Sequence, residues 1–139
     1  MSEPIPGATA TAELTVGSSD LASALPLTSS DAFAAVFATA RLVALMEIAS
    51  ARVLQPHLAA GELSVGVVVN VTHSAPTPEG STVTAAACYL GRDGKLFDFE
   101  VIASDAGGEV GRARHKRAII DAGRLQASAV RRVTASATR

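Results

Sequence analysis

The sequence predicts an α+β domain in which an antiparallel sheet of about five strands wraps round one long central helix. Three observations lead there. Thr39 to about Leu54 carries apolar residues at helical spacing. Four later stretches read as strands, and the links between them are short and rich in turn-forming residues, which favours antiparallel pairing. The chain has 139 residues, 48% of them hydrophobic, enough for a real core in one domain (1–139) but not for two.

Taken in order, residues 1–9 hold two prolines and a glycine and read as a loose arm. Thr11 to Gly17 alternates and is a candidate first strand. Gly17 to Ser30 is rich in Ser and small residues and reads as a loop, and Asp31 to Phe37 as a short helix or a lid. In the main helix Leu42, Leu45, Met46, Ala49 and Val53 share a face, Thr39 is a candidate N-cap, and Pro56 ends the element. The helix is apolar or small on most sides, so both sides are expected to be covered. The strands follow as Ser64 to His73, Ser81 to Leu90, Lys95 to Ser104 and Glu109 to Ile120, separated by Pro76 to Gly80, Gly91 to Gly94 and Asp105 to Gly108. Residues 122–139 are rich in Ala, Ser and Arg; they read as frayed, with a terminal helix as the alternative.

Composition narrows the function. Aromatic residues make up 4% of the chain and Trp is absent, so the core is aliphatic and a nucleic-acid binder built on stacking platforms is disfavoured. The net charge is −1 but uneven: 4 basic and 12 acidic residues up to position 110, then 8 basic residues and the single acid Asp121. A basic end suits an anionic partner, such as cofactor phosphates or nucleic acid, or is simply a solvated tail. Cys88 is the only cysteine, so an internal disulfide is impossible. The start, MSEPIPGATA, has neither a basic nor an apolar leader region, and no apolar run is long enough to span a bilayer; a cytoplasmic location is the expectation.

Few residues stand out chemically. Glu47 lies in the middle of the apolar helix, where Val43, Ile48, Ser50 and Ala51 offer no polar face; it is either on a narrow exposed stripe or a carboxylate with a task. His73 ends an apolar strand before a proline-rich turn, as a proton carrier near neutrality or as a histidine bonded to a loop carbonyl. Thr39 is a cap or a hydroxyl that orients substrate. Eight helical residues separate Thr39 from Glu47, about 12 Å, so one site using both needs a second subunit. Alternation puts Arg112, Arg114 and Lys116 on one face of the last strand, solvated or phosphate-binding, and Arg117 on the other with Ala113, His115 and Ile119. An inward arginine needs a partner. Gly66 marks a bend or a close approach. No Walker loop, dinucleotide fingerprint, zinc ligand set or nucleophile elbow is present.

The ordered set Val36-Phe-Ala-Thr39, Leu45-Met-Glu47, Gly66, Val71-Thr-His73 and Arg117-Ala-Ile-Ile120 resembles the fluoroacetyl-CoA thioesterase family. The likeness runs from Phe33 to Asp121. It implies the hot-dog fold, a homodimer, an acyl-CoA substrate and no cofactor or metal beyond it. It implies Thr39, Glu47 and His73 as catalytic residues, with Gly66 and Arg117 beside the thioester and Phe33 as a lid aromatic. Ser30 stands where a second lid aromatic is expected, and Ile48 where an aromatic follows the glutamate. Expected partners are thus acyl-CoA and a second copy of the chain, not nucleic acid or membrane. The competing expectations are a non-catalytic acyl-CoA binding module of the same fold, and a nucleic-acid binder that uses the basic strand.

Overall fold

The computed structural model describes residues 2–137. Strand β1 (Thr9–Thr15) is followed by two short 3-10 turns, Ser18–Asp20 and Ala22–Ala24, and then by helix α1 (Thr39–Leu54). Strands β2 (Glu62–His73), β3 (Thr82–Asp93), β4 (Leu96–Asp105) and β5 (Gly108–Asp121) complete the sheet, and helix α2 (Ala122–Ala137) closes the described chain. All pairings are antiparallel, in the order β1-β3-β4-β5-β2.

Strand alternation decides which residues face α1. Val83, Ala85 and Ala87 of β3, Phe99, Val101 and Ala103 of β4, and Ala113 of β5 are all buried. They meet Leu42, Leu45, Met46, Ala49 and Val53 of α1 in one cluster. Alanines on the sheet side let the helix lie close, and the aromatic rings of Tyr89, Phe97 and Phe99 fill the rest of the core. Helix and sheet also come close at Gly111, where a Cβ would stand 2.8 Å from Leu42 Cδ2 and 3.0 Å from the Thr72 carbonyl oxygen. Ser50, also buried, satisfies its hydroxyl on the Met46 carbonyl within the same helix.

Several expectations need correction. Asp31 to Phe37 is not helical but an extended strap: Ala22 N–H donates to Val36 O, Ser23 N–H to Ala34 O, and Phe37 bridges to Leu21. Thr39 is the first helical residue rather than the N-cap, which is Ala38. Residues 2–8 are not loose. Pro4 is buried, Gly7 N–H donates to Tyr89 O, and Tyr89 N–H donates to Ala8 O. Residues 122–137 form a helix, with the side chains of 123–135 exposed; residues 138 and 139 lie outside the described chain. Within the single chain the expected two-sided cover of α1 is met on one side: Ala40, Ala44 and Ile48 face outward, Ile48 being 46% exposed.

Strand β2 is a sheet edge and carries Leu63, Val67, Val68 and Val69, all exposed. Val67 is the extra residue of a bulge between Gly66 and Val68. An apolar, twelve-residue edge with unpaired backbone groups is a template for another strand.

Candidate active site

Two polar clusters lie along α1 in the single chain. The first joins α1 to β2 at the helix start. Thr39 Oγ1 and His73 Nδ1 are 2.8 Å apart, and the His73 ring stands edge-on to Phe37 with centroids 6.5 Å apart. The hydroxyl, a cap or a substrate-orienting group by sequence, is thus turned to the imidazole. His73 Nε2 is buried and meets no hydrogen-bond partner among the described residues. Such an atom calls for a polar group from outside the chain. Beside the pair, a cavity of about 270 Å³ is walled by Ala22, Val36, Phe37, Ala75 and Pro76. An adjoining apolar cavity of about 340 Å³ reaches Thr39 between Ala22, Leu25, Phe33 and Ala38, with Phe33 58% exposed at its rim.

The second cluster joins the middle of α1 to β2 and β5. Arg117, only 6% exposed, is held on nearly every side. Its Nε–H donates to Ser64 Oγ (2.9 Å), its Nη2 to Ser64 O (2.9 Å), and its Nη1 to both Glu47 Oε2 (3.0 Å) and His115 Nε2 (3.0 Å). The inward arginine thus has its partner, and the partner is Glu47. The Glu47 side chain is 38% exposed, and its Oε1 makes no hydrogen bond among the described residues. Gly66 pairs with Arg117 in the β2–β5 ladder. A Cβ there would stand 2.5 Å from Glu47 Oε2 and 3.1 Å from His115 Cε1. The absence of a side chain at 66 is what lets the helix carboxylate reach the strand guanidinium.

By sequence alone His115 is only a neighbour on Arg117's face, and Ser64 only the start of a strand. The signal for both was alternation. Positions 113, 115 and 117 point inward together, and so do 64 and 66 across the ladder, so two inward polar residues had to satisfy one another. His115 is 1% exposed, and its Nδ1 lies 2.7 Å from Val68 O. Burial pushes its pKa below the ordinary 6.5; the Val68 carbonyl pulls it back up, Arg117 lowers it and Glu47 raises it.

The outward basic residues of β5 are matched by carboxylates. Arg112 pairs with Glu109 and Glu100, Arg114 with Asp98, and Lys116 with Asp93. That pairing favours a solvated face over a nucleic-acid surface. Among the described residues no three His, Cys, Asp or Glu side chains gather as a metal site.

The model of the fluoroacetyl-CoA-specific thioesterase family matches residues 16–123. The chain belongs to this family. The match includes Phe33, Thr39, Glu47, Gly66, His73 and Arg117. A fluoroacetyl-CoA thioesterase from Streptantibioticus cattleyicolor is 43% identical over 88 residues, which span 63% of each chain. The solved structure of a fluoroacetyl-CoA thioesterase superposes with a TM-score of 0.84 at 31% identity, covering 94% of this chain and 98% of the other. A Thermus thermophilus thioesterase superfamily member matches over all of both chains with a TM-score of 0.87 at 23% identity, and speaks for the fold alone. A hot-dog-like protein from Thermanaerovibrio acidaminovorans does the same at 24% identity and a TM-score of 0.78, over 91% of each chain. The fold is thus the hot-dog fold of the fluoroacetyl-CoA-specific thioesterase family.

Within this family member the Gly66 contact is directly testable. Gly66→Ala is expected to push the Glu47 carboxylate off Arg117, because His115 on the other side leaves the methyl no room to shift. Thioester hydrolysis should fall at least about tenfold, the loss of one hydrogen bond to a charged group. Thermal melting should move little. Steady-state rates beside a melting curve check both, and an Ala variant with unchanged kcat would show that the close approach is incidental.

Proposed function

We propose that the protein is a thioester hydrolase that cleaves a short-chain acyl-CoA to the free acid and coenzyme A, in a site assembled at the interface of a homodimer. The observation that carries this reading is the division of polar residues into two half-sites. One offers a carboxylate with a free oxygen set on a guanidinium. The other offers a histidine–hydroxyl pair beside an apolar cavity. Thioester hydrolysis needs both kinds of group: a nucleophile or base, a proton carrier, and donors for the carbonyl oxygen as it becomes negative. As base, Glu47 takes a proton from water, whose oxygen adds to the thioester carbonyl. The tetrahedral intermediate then collapses, expelling the thiolate, to which His73 delivers a proton. As nucleophile, Glu47 adds to the carbonyl itself; the tetrahedral intermediate expels the coenzyme A thiolate, which takes a proton from His73, and water then hydrolyses the resulting acyl-glutamyl anhydride, releasing the free acid and restoring Glu47. Thr39 and the backbone amide near Gly66 position the carbonyl in either route, Arg117 orients Glu47, and Phe33 covers the acyl group.

The dimer in this reading forms along β2. Pairing two β2 edges about a two-fold axis covers Val67, Val68 and Val69 and satisfies their backbone groups. The outward face of α1 is open to the same partner. No cofactor is needed, since coenzyme A is part of the substrate. No described helix is long and apolar enough to cross a membrane. A water-soluble ester as substrate fits work in the cytoplasm, with neither membrane nor nucleic acid as partner.

A panel of short acyl-CoA esters with a free-thiol readout tests the reading. Release of thiol above background is expected from at least one ester. Binding without release would make the chain an acyl-CoA binding module. Ser30 sits in a surface turn stapled by Asp31, which accepts from the Leu27 and Thr28 amides. A single missing apolar contact is worth only about 1–3 kcal/mol in discrimination, so the preference for fluoroacetyl-CoA over acetyl-CoA should be weak. A strong preference in the same panel would show that the second lid aromatic is dispensable.

A further inference from the structure

Among the residues that the proposed mechanism leaves without a task, His115 is the most tightly built in. It is buried on β5, under the ring of Phe99 (centroids 6.5 Å apart) and beside Gly66 of β2. Both ring nitrogens are engaged. Nδ1 faces the Val68 carbonyl at 2.7 Å, an atom that only accepts, so the proton is on Nδ1. Nε2 faces Arg117 Nη1 at 3.0 Å, a group that only donates, so Nε2 is bare. A protonated imidazole would set two donors and two positive charges against each other. The pair of contacts fixes one tautomer of the neutral ring.

We infer that His115 is a positioning residue: a neutral imidazole, anchored on the Val68 carbonyl, that presents an acceptor to Arg117 and so holds the guanidinium that aims Glu47. The geometry of Nη1 makes the point. Its two hydrogens are shared between His115 Nε2 and Glu47 Oε2, so the direction of one bond fixes the other. Ser64 takes Nε and one Nη2 hydrogen from the opposite side. Without the His115 acceptor, Ser64 still holds Nε and Nη2, but one Nη1 hydrogen is left unpaired in a buried site; the Nη1 edge shifts to satisfy it, and the half-exposed carboxylate loses its register while keeping its charge partner. The effect therefore belongs in kcat rather than in KM, because Glu47 acts on the bond being broken and not on the coenzyme A handle. The inference rests on the proposed role of Glu47 in hydrolysis.

The test exploits the fact that Gln and Asn each mimic one nitrogen of the ring. Gln carries a carbonyl oxygen near the Nε2 position, whereas Asn reaches only the Nδ1 position. His115→Gln should keep most of kcat. His115→Asn, though still able to donate to Val68, should lose about tenfold to a hundredfold in kcat, the size of one hydrogen bond to a charged group. KM for the ester that the panel identifies should stay nearly unchanged in both. Two spectroscopic readings need no turnover. Nitrogen-15 shifts of the wild-type ring should report the Nδ1–H tautomer at neutral pH, and hydrogen exchange at the Arg117 guanidinium should accelerate in the Asn variant but not in the Gln variant. An Nε2–H tautomer, equal losses in Gln and Asn, a loss confined to KM, or unchanged guanidinium exchange in the Asn variant would each overturn the assignment. Absence of hydrolysis by the wild type would instead sink the thioesterase reading, and the two spectroscopic readings would still decide whether His115 holds Arg117.

Discussion

Replacing Glu47 by Gln is expected to reduce thioester hydrolysis by about a hundredfold to ten-thousandfold, the range over which a positioned base acts. The substitution keeps the shape of the side chain and an oxygen that can still accept from Arg117 Nη1. It removes the charge that makes the group a base or a nucleophile. Folding should survive. Arg117 keeps its contacts to Ser64 Oγ, Ser64 O and His115, so no buried donor is stranded, and Glu47 is 38% exposed. The measurement is kcat on the best ester of the panel, with a thermal melt and an oligomer check on the same preparation. A Gln variant that turns over at the wild-type rate would return Glu47 to the role of a structural ion-pair partner for Arg117.

How far the sequence foretold the molecule depends on where the determining contacts lie. Helix α1 runs from Thr39 to Leu54 as expected, because its apolar spacing and Pro56 are local signals. The four later strands were placed correctly but drawn short at several ends. Glu62 pairs with Asp121 across the ladder, a partner invisible to a local window. For the same reason the helix offered for 31–37, as the alternative to a lid, is absent. The strap's carbonyls accept from Ala22 and Ser23, and Phe37 N–H donates to Thr77 O, all outside the segment. Helix α2 does carry an apolar stripe, with Leu125, Ala129 and Val133 at helical spacing, and its Ala-rich composition favours a helix; Leu125 and Val133 are nonetheless exposed in the single chain.

Glu47 drew notice because a carboxylate in an apolar helix has to be accounted for, and Arg117 because an inward arginine has to have a partner. Each was the other's answer. Thr39 was noticed partly for the wrong reason, since the cap is Ala38 and the hydroxyl serves His73. His115 and Ser64 were passed over because each is unremarkable alone. Their significance lies in the β2–β5 register, which brings both to one guanidinium.

Thr39 with His73, and Glu47 with Arg117, form separate clusters in one chain, as expected for groups about 12 Å apart on a straight helix. In the proposed dimer the Glu47 cluster of one subunit lies against the Thr39–His73 pair of the other. Two separately inactive proteins, Thr39→Val and Glu47→Gln, then carry complementary damage. In their heterodimer one site pairs the intact Glu47 of the first with the intact Thr39 of the second, while the other site holds both substitutions. Equal mixing with free subunit exchange gives half heterodimers, each with one good site, so about a quarter of the wild-type activity should return. The decisive measurement is thiol release from an acyl-CoA by the exchanged mixture, with heterodimer confirmed by native mass spectrometry. Recovery towards that quarter is the predicted result. A confirmed heterodimer that stays inactive would contradict the shared site and require each chain to carry a complete one.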